Sequence, residues 1–364
     1  MLIALIIVLG IILIGLLVLR FYPVLGGKAS QTSRQLISKS TNRSNNKFVN
    51  QIPTSMNMNF RSTVKLLVDF VKGNPKGKPS SPIKAVPLLP VGIPNGGLPS
   101  VTWFGHSAIL LRLDGKTIFL DPMLGKRPSP FPVFGGKRFS ESLPIEIEQL
   151  PSIDAVIFSH DHYDHLDYGS IKKLMHKVKR FIVPLGVAAH LERWGVDPAI
   201  ITEHDWWDEF DFEGLSLASA PARHFSGRSV GDRNSTLWCS WVIMGKQAKV
   251  FFSGDSGYGP HFEQIGSKYG PFDLTLMECG QYDEKWAAIH MLPEETVQAH
   301  QDVKGKLMIP IHWGAFTLAL HDWTDPAERS TKAAKANNVA IATPRIGQTV
   351  TIGAAEFPTT AWWR

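Results

Sequence analysis

The sequence predicts a layered α/β domain held behind an N-terminal membrane-spanning helix. Three observations predict it. Leu2 to Leu19 is an apolar run broken only by Gly10 and Gly15. From Val101 on, short β-like runs first follow one another and then alternate with helical stretches, the pattern of mixed hairpins and βα units. A third run, Ser159-His160-Asp161-His162-Tyr163-Asp164-His165, packs three histidines and two carboxylates directly behind the apolar strand Asp154–Phe158.

The elements follow in order. At 1.5 Å per residue, about 18–19 helical residues span roughly 28 Å, enough for a bilayer core. No charge precedes Leu2, and the run ends Val18-Leu19-Arg20-Phe21-Tyr22 without a small-residue cleavage site or a following cysteine for acylation. Residues 1–20 are therefore expected to be an uncleaved transmembrane anchor rather than a signal peptide. Arg20, Lys28, Arg34, Lys39, Arg43 and Lys47 come next, with no acid before Asp69. That bias places the rest of the chain on the cytoplasmic side. Residues 21–99 read as a basic, partly flexible linker and arm. Residues 21–60 are rich in Ser, Asn, Gln and Lys, 61–72 can form a short amphipathic helix, and 73–99 are dense in Pro, Gly and Lys.

Residues 100–364 carry the regular structure. Strands are expected at 101–104, 107–113, 117–121 and 153–159, then helix 168–179, strand 180–184 and helix 186–195. Strands at 206–212, 214–220, 236–244 and 248–253 precede helix 259–268 and strand 272–277. Helix 293–302, strand 306–310, a helix near 326–337 and short strands near 339–342 and 348–352 complete the domain.

The formal net charge of +6 hides an asymmetry. Residues 1–98 hold 12 Lys/Arg and one acid, or +11, so the remaining 266 residues carry 6 − 11 = −5. A basic segment beside an apolar helix points to a membrane surface. The acidic balance of the remainder argues against a nucleic-acid partner. Two cysteines, Cys239 and Cys279, make no disulfide framework.

Imidazole and carboxylate are the side chains that hold zinc-like metals. The spacing His-x-His-x-Asp-His divides into His160 and His162 for one metal and Asp164 and His165 for a second. Further ligands are expected where other strands end, because loops gather on the rim of a sheet. Strand 248–253 runs into Ser253-Gly254-Asp255-Ser256-Gly257, where Asp255 on a glycine-flanked turn can bridge two metals. His224 follows strand 214–220, and His312 follows strand 306–310. Singly, each is an ordinary turn or packing residue. Together, strand ends that each supply His or Asp make a metal site.

At these residues the chain resembles the metallo-β-lactamase superfamily, and within it the N-acyl-phosphatidylethanolamine-hydrolysing phospholipase D group with its bacterial relatives. The resemblance runs from residue 101 to about 320. It rests on Val101–His106, Phe119-Leu120-Asp121-Pro122, Ile153–Tyr168, Val183-Pro184-Leu185-Gly186, Asp205-Trp206-Trp207, Ser253–Tyr258, Gly270–Leu274 and Ile311-His312-Trp313-Gly314. It implies a four-layer αβ/βα sandwich and two Zn²⁺, with Fe or Mn as possible occupants. The first metal would be held by His160, His162 and His224, the second by Asp164, His165 and His312, with Asp255 between them. Paired metals lower the pKa of water toward neutrality and stabilise in-line displacement at phosphorus.

The resemblance further implies that His290, in Ala288-Ile289-His290-Met291, acts on the departing alkoxide or the phosphoryl oxygens. Catalysis is accordingly assigned to His290, Asp255 and Asp164, while His106 and Asp121 orient the metal loop. Three features depart from the family pattern. Met277–Tyr282 is more polar, Asp161 stands where Asn is expected, and the basic anchor region lies outside the match. These departures bear on the substrate more than on the metals. The loop Met123–Phe139 mixes Phe131, Val133 and Phe134 with Lys126, Arg127, Lys137 and Arg138, which suits an acyl-chain entrance at an anionic bilayer.

The expected activity is hydrolysis of a phosphodiester in an N-acylated phospholipid, releasing the alcohol. Two rivals remain: a related metal-dependent hydrolase of a lactone, cyclic phosphodiester or nucleic acid, and a non-catalytic metal-binding scaffold at the membrane.

Overall fold

The computed structural model describes residues 1–55, 60–89 and 97–364. Parts of the expected linker and arm, 56–59 and 90–96, lie outside the described residues. Helix α1, Leu2–Phe21, is a single uninterrupted helix, and none of its span Ile3–Phe21 is buried against the rest of the chain. It is long and apolar enough to cross a membrane.

The chain that follows is not a free linker. Helix α2, Gln31–Lys39, starts at Ser30, whose hydroxyl accepts from Ser33 N. The hairpin β1, Arg43–Ser44, and β2, Lys47–Phe48, turns at Asn45 and Asn46, both with positive φ, the turn that Asn favours. Ile37 and Phe48 are buried in the domain core. The polar composition of 21–55 thus reflects caps, turns and one solvent face, while two apolar anchors lay the segment on the domain as a strap. Helix α3, Phe60–Lys72, matches the expected amphipathic helix.

Two seven-stranded mixed sheets follow. The first uses β3 (Ser100–Trp103), β4 (Ile109–Leu113), β5 (Lys116–Leu120) and β6 (Ile153–Ile157). After helix α4 (Tyr168–Leu174) it continues with β7 (Val178–Pro184), and after helix α5 (Ala188–Arg193) with β8 (Ile201–His204). The second sheet takes β9 (Glu209–Phe212), β10 (Leu215–Ala220), β11 (Ser240–Met244) and β12 (Lys249–Phe252). Helix α6 (His261–Tyr269), β13 (Phe272–Glu278), helix α7 (Pro293–Asp302), β14 (Gly305–Ile311), helix α8 (Asp325–Ala336) and β15 (Ala340–Ile341) follow. Strand β16 (Thr349–Thr351) returns to the first sheet beside β3. The strand orders are β16-β3-β4-β5-β6-β7-β8 and β15-β14-β13-β12-β11-β10-β9.

Alternation within strands builds the layers. Ile109, Leu111 and Leu113 of β4 meet Val250 and Phe252 of β12 in the core between the sheets. Leu110 faces outward with the α4–α5 layer, and Phe251 with the α6–α8 layer. The result is the expected αβ/βα four-layer sandwich.

Three expected elements shift and one strand is new. Helix α4 stops at Leu174, because Val178 already pairs with Ile153 as strand. The expected strand 206–212 is a strand only from Glu209: Asp205 N donates to Asp208 Oδ2 at 2.7 Å and Trp207 has φ +72°, which makes 205–208 a turn. Strand β8, ahead of that turn, was not expected, and β11 begins at Ser240 rather than 236.

Candidate metal centre

The histidines and carboxylates collect where strands of both sheets end. The β3–β4 turn brings His106, β5 brings Asp121, and β6 runs into His160–His165. Beyond β10 lies His224, beyond β12 Asp255, and beyond β14 His312. His106, Asp121 and His312 hold positive φ of 55°, 38° and 66°. Such backbone costs about 1–3 kcal/mol per residue and persists where surrounding bonds enforce it. Those bonds are His106 N to Trp313 O and His312 N to His106 O, each 2.9 Å.

All seven expected ligands come together. His160 Nε2 lies 2.8 Å from His162 Nδ1, and His224 Nε2 lies 3.2 Å from the same atom. His224 Nδ1 donates to Ile289 O at 2.9 Å, which leaves a lone pair on the inward Nε2. In the second cluster, Asp164 Oδ2 lies 3.5 Å from His165 Nε2 and 3.9 Å from His312 Nε2. Asp255 reaches both clusters. Its Oδ2 is 3.0 Å from His165 Nε2 and 3.8 Å from both His160 and His224 Nε2, while its Oδ1 is 3.0 Å from His312 Nδ1.

This donor set fits a divalent metal. Burial holds His160 and His224 well below the ordinary histidine range, so their rings are neutral. Burial would push Asp255 and Asp164 up, but the surrounding histidines, His165 foremost, hold both well below the usual carboxylate range. Asp255 Oδ1 is buried with no hydrogen-bond partner of good geometry. The neutral rings of His160 and His224 beside the buried Asp255 carboxylate form a donor set that would hold a divalent cation.

The orienting roles expected of Asp121 and His106 have contacts behind them. Asp121 accepts from Ser159 N at 2.7 Å and from Ser159 Oγ at 2.5 Å, and its Oδ2 lies 2.6 Å from His165 Nδ1. His106 Nε2 lies 2.8 Å from Asp164 Oδ2, and burial lowers this histidine to about 3. His106 also stands within the second cluster itself, close enough to be counted among its donors.

His290 stands at the wall of the site, its ring 5.0 Å from that of His224 and 5.2 Å from that of His312. Its Nδ1 is 2.9 Å from Glu278 Oε2, so Nε2 is the nitrogen that remains to serve the site. Tyr163 turns its hydroxyl to Arg228 O, with the Arg228 guanidinium over its ring.

Two site residues escaped the sequence reading. Glu278 ends β13 fully buried, and its Oε1 accepts from Met291 N at 2.8 Å. Burial and then Asp255 push its carboxyl well above the ordinary range. The only signal was the unexpected polarity of Met277–Tyr282. Asn50, on the strap, donates through Nδ2 to His224 O at 2.8 Å, and its Oδ1 accepts from His224 N at 3.1 Å and Trp238 Nε1 at 3.0 Å. No local pattern marks Asn50. Asp161, the expected departure, accepts from Gly227 N and Thr236 Oγ1 and so ties the metal loop to the chain after His224.

The β-lactamase superfamily domain matches residues 116–313. An uncharacterized protein of Mycobacterium tuberculosis is 41% identical over 349 residues, covering 94% of this chain and 92% of its own. The N-acyl-phosphatidylethanolamine-hydrolyzing phospholipase D 1 of Caenorhabditis elegans is 32% identical over 234 residues, covering 61% of this chain and 65% of its own. Among solved structures, the isothiocyanate hydrolase from Delia radicum gut bacteria superposes with a TM-score of 0.55 at 19% identity, over 70% of this chain and 100% of that one, a likeness of fold. A family match over more than half the chain, on this sandwich and with these clustered donors, makes the protein a member of the metallo-β-lactamase superfamily of metal-dependent hydrolases.

Proposed function

We propose that the protein is a membrane-anchored phosphodiesterase of phospholipase D type that uses two metals, zinc in the first instance, with Fe or Mn able to take the same ligands. Its substrate is an N-acylated phospholipid. Water displaces the headgroup alcohol at phosphorus, leaving phosphatidic acid and an N-acylethanolamine. The observation that carries this reading is the arrangement of seven donors as two clusters with Asp255 between them. The similarity to the worm phospholipase D supports the choice of substrate class.

Bound metals supply Lewis acidity toward the phosphoryl oxygens and a water acidic enough to react at neutral pH. The protein's own groups do the rest. Asp255 and Asp164 balance charge and fix the donor geometry, and His106 and Asp121 hold Asp164 and His165 in place. Glu278 fixes the His290 ring, so that Nε2 can give a proton or a hydrogen bond to the departing alkoxide as the P–O bond breaks and the new O–P bond forms.

Access from a bilayer is supported by surface features around the same site. Tyr22, directly after α1, stacks on Phe131 with centroids 5.4 Å apart, and its hydroxyl donates to Pro130 O at 2.7 Å. The loop bearing Phe131 also exposes Val133 and Phe134, at 74% and 66%. Helix α3 presses Leu66 against Trp286 and Ile289, beside His290, and leaves Val64, Leu67, Val68 and Val71 exposed as a stripe. The basic residues after α1 support a position of the domain on the cytoplasmic face.

The test is purified full-length protein on N-acyl-phosphatidylethanolamine vesicles, with and without chelator. Chelator-sensitive release of N-acylethanolamine together with phosphatidic acid is expected. Metal-loaded protein that releases neither, or that releases diacylglycerol instead, overturns the assignment.

A further inference from the structure

Arg228 is a cation that the proposed chemistry does not use, and it is only 4% exposed. A buried guanidinium is costly unless its donors are met. Here carbonyls from two separate segments meet them. Nη1 donates to Asp161 O at 2.5 Å and to Leu166 O at 2.8 Å, and Nη2 donates to Val24 O at 3.0 Å. Nε also donates to Val24 O, at 3.3 Å. The guanidinium carbon lies 4.1 Å from the centroid of the Tyr163 ring and 5.1 Å from that of Trp194.

Two of these acceptors bracket the metal loop. Asp161 and Leu166 stand on either side of His162–His165, so one planar fork spans the stretch that carries His162, Asp164 and His165. Tyr163, inside the stretch, returns its hydroxyl to Arg228 O. The third acceptor comes from the strap. Val24 lies in the turn Pro23–Leu25, directly after α1. That turn is fastened at further points. Trp194 Nε1 donates to Pro23 O at 2.7 Å, and Gly27 N donates to His190 Nδ1 at 3.0 Å. His190 Nε2 in turn lies 3.3 Å from Asp161 Oδ2, a second and longer route to the same loop.

We propose that Arg228 is a positioning residue that clamps the metal loop to the turn where α1 ends, so that metal binding and the order of that turn are coupled. The proposal rests on the reading of His162, Asp164 and His165 as metal ligands. Arginine suits the role because its donors are fixed in one plane, whereas a lysine ammonium is a point charge on a flexible stem. Coupling of this kind is reciprocal. A held turn favours bound metal, and bound metal favours the held turn by the same factor.

The experiment uses full-length protein in detergent micelles with zinc as the probe. Zinc affinity is read by competition with a chromophoric chelator. Hydrogen exchange of the Leu25, Gly26 and Gly27 amides is followed with and without zinc. The proteins are wild type, Arg228→Lys, Arg228→Met and Arg193→Met. Arg193 is the control, because its Nη2 donates to Arg20 O at 3.0 Å and so fastens the same end of α1, with no hydrogen bond to the metal loop among the described residues. Both Arg228 variants are expected to weaken zinc binding about tenfold or more, and Arg193→Met by less than about twofold. Zinc is expected to slow exchange of the three amides in wild type, and to slow it less in Arg228→Lys. The proposal fails if zinc leaves those amides unchanged in wild type, if Arg228→Lys binds zinc as wild type does, or if Arg193→Met weakens binding as much as Arg228→Lys. In a wild type that binds zinc, those results overturn the clamp alone. A wild type that binds no zinc overturns the ligand reading together with it. The wild-type exchange measurement needs no variant, so a misfolded Arg228→Met leaves the test decisive.

Discussion

Asn50 and His290 both meet the centre at His224, one through its backbone and the other beside its ring. Asn50 pins both backbone polar groups of His224, the histidine whose Nε2 completes the first cluster. Asn50→Ala frees that backbone and is expected to weaken metal binding about 10–100-fold, the usual effect of losing a group that orients a ligand. Metal titration by competition with a chromophoric chelator reads this directly, and unchanged affinity would make Asn50 a strap fastener only. His290→Ala is expected to leave metal content intact and to lower turnover about 10²–10⁴-fold. A substrate with a low-pKa leaving alcohol should be much less sensitive, because it departs without proton assistance. Loss of metal in this variant would instead place His290 in the ligand set, a role that its closeness to His224 and His312 makes geometrically available.

At the scale of elements, the strap divides the N-terminal region into two functions. Removing residues 1–20 takes away α1 and is expected to release the protein from membranes while activity on detergent-dispersed substrate persists. Removing residues 1–55 also removes Ile37, Phe48 and Asn50, and is expected to cost metal binding and solubility. A 1–55 truncation with full metal content would show the strap to be dispensable. The packing part can be isolated: Phe48 is fully buried, so Phe48→Ala should destabilise the domain by about 3–5 kcal/mol in denaturant unfolding. The strap was hard to see from composition because a nine-residue helix and a hairpin of two-residue strands are pinned by only two large apolar residues, too few to form a period. The core strands were legible because short apolar runs bounded by turn residues report strands buried on both faces. The Asp205–Asp208 turn was missed because Trp206 and Trp207 look like strand residues, while the flanking aspartates close the turn on their own backbone.

For the whole molecule, two sheets deliver their donors to one rim, so metal and fold are linked. Without a cation, Asp164 and Asp255 are buried among neutral or partly charged histidines. With one, those charges are balanced. Chelation is expected to lower the melting temperature, and saturating metal to restore it, by about 4 kcal/mol at a thousandfold excess over Kd. A melting temperature unmoved by chelator in protein shown to have lost its metal would mean that the rim is held by hydrogen bonds alone.

The sequence by itself determined the layered α/β class, the apolar N-terminal helix and the seven candidate donors. These are written locally, in hydrophobic periods and in residue types placed where strands end. Only the tertiary structure decided that Glu278 holds His290 and that Asn50, 174 residues away in the chain, holds His224. Such contacts depend on how the strands are ordered across two sheets and on where a polar strap comes to rest. Both are set by the packing of the whole core, and no neighbouring residue in the sequence records them.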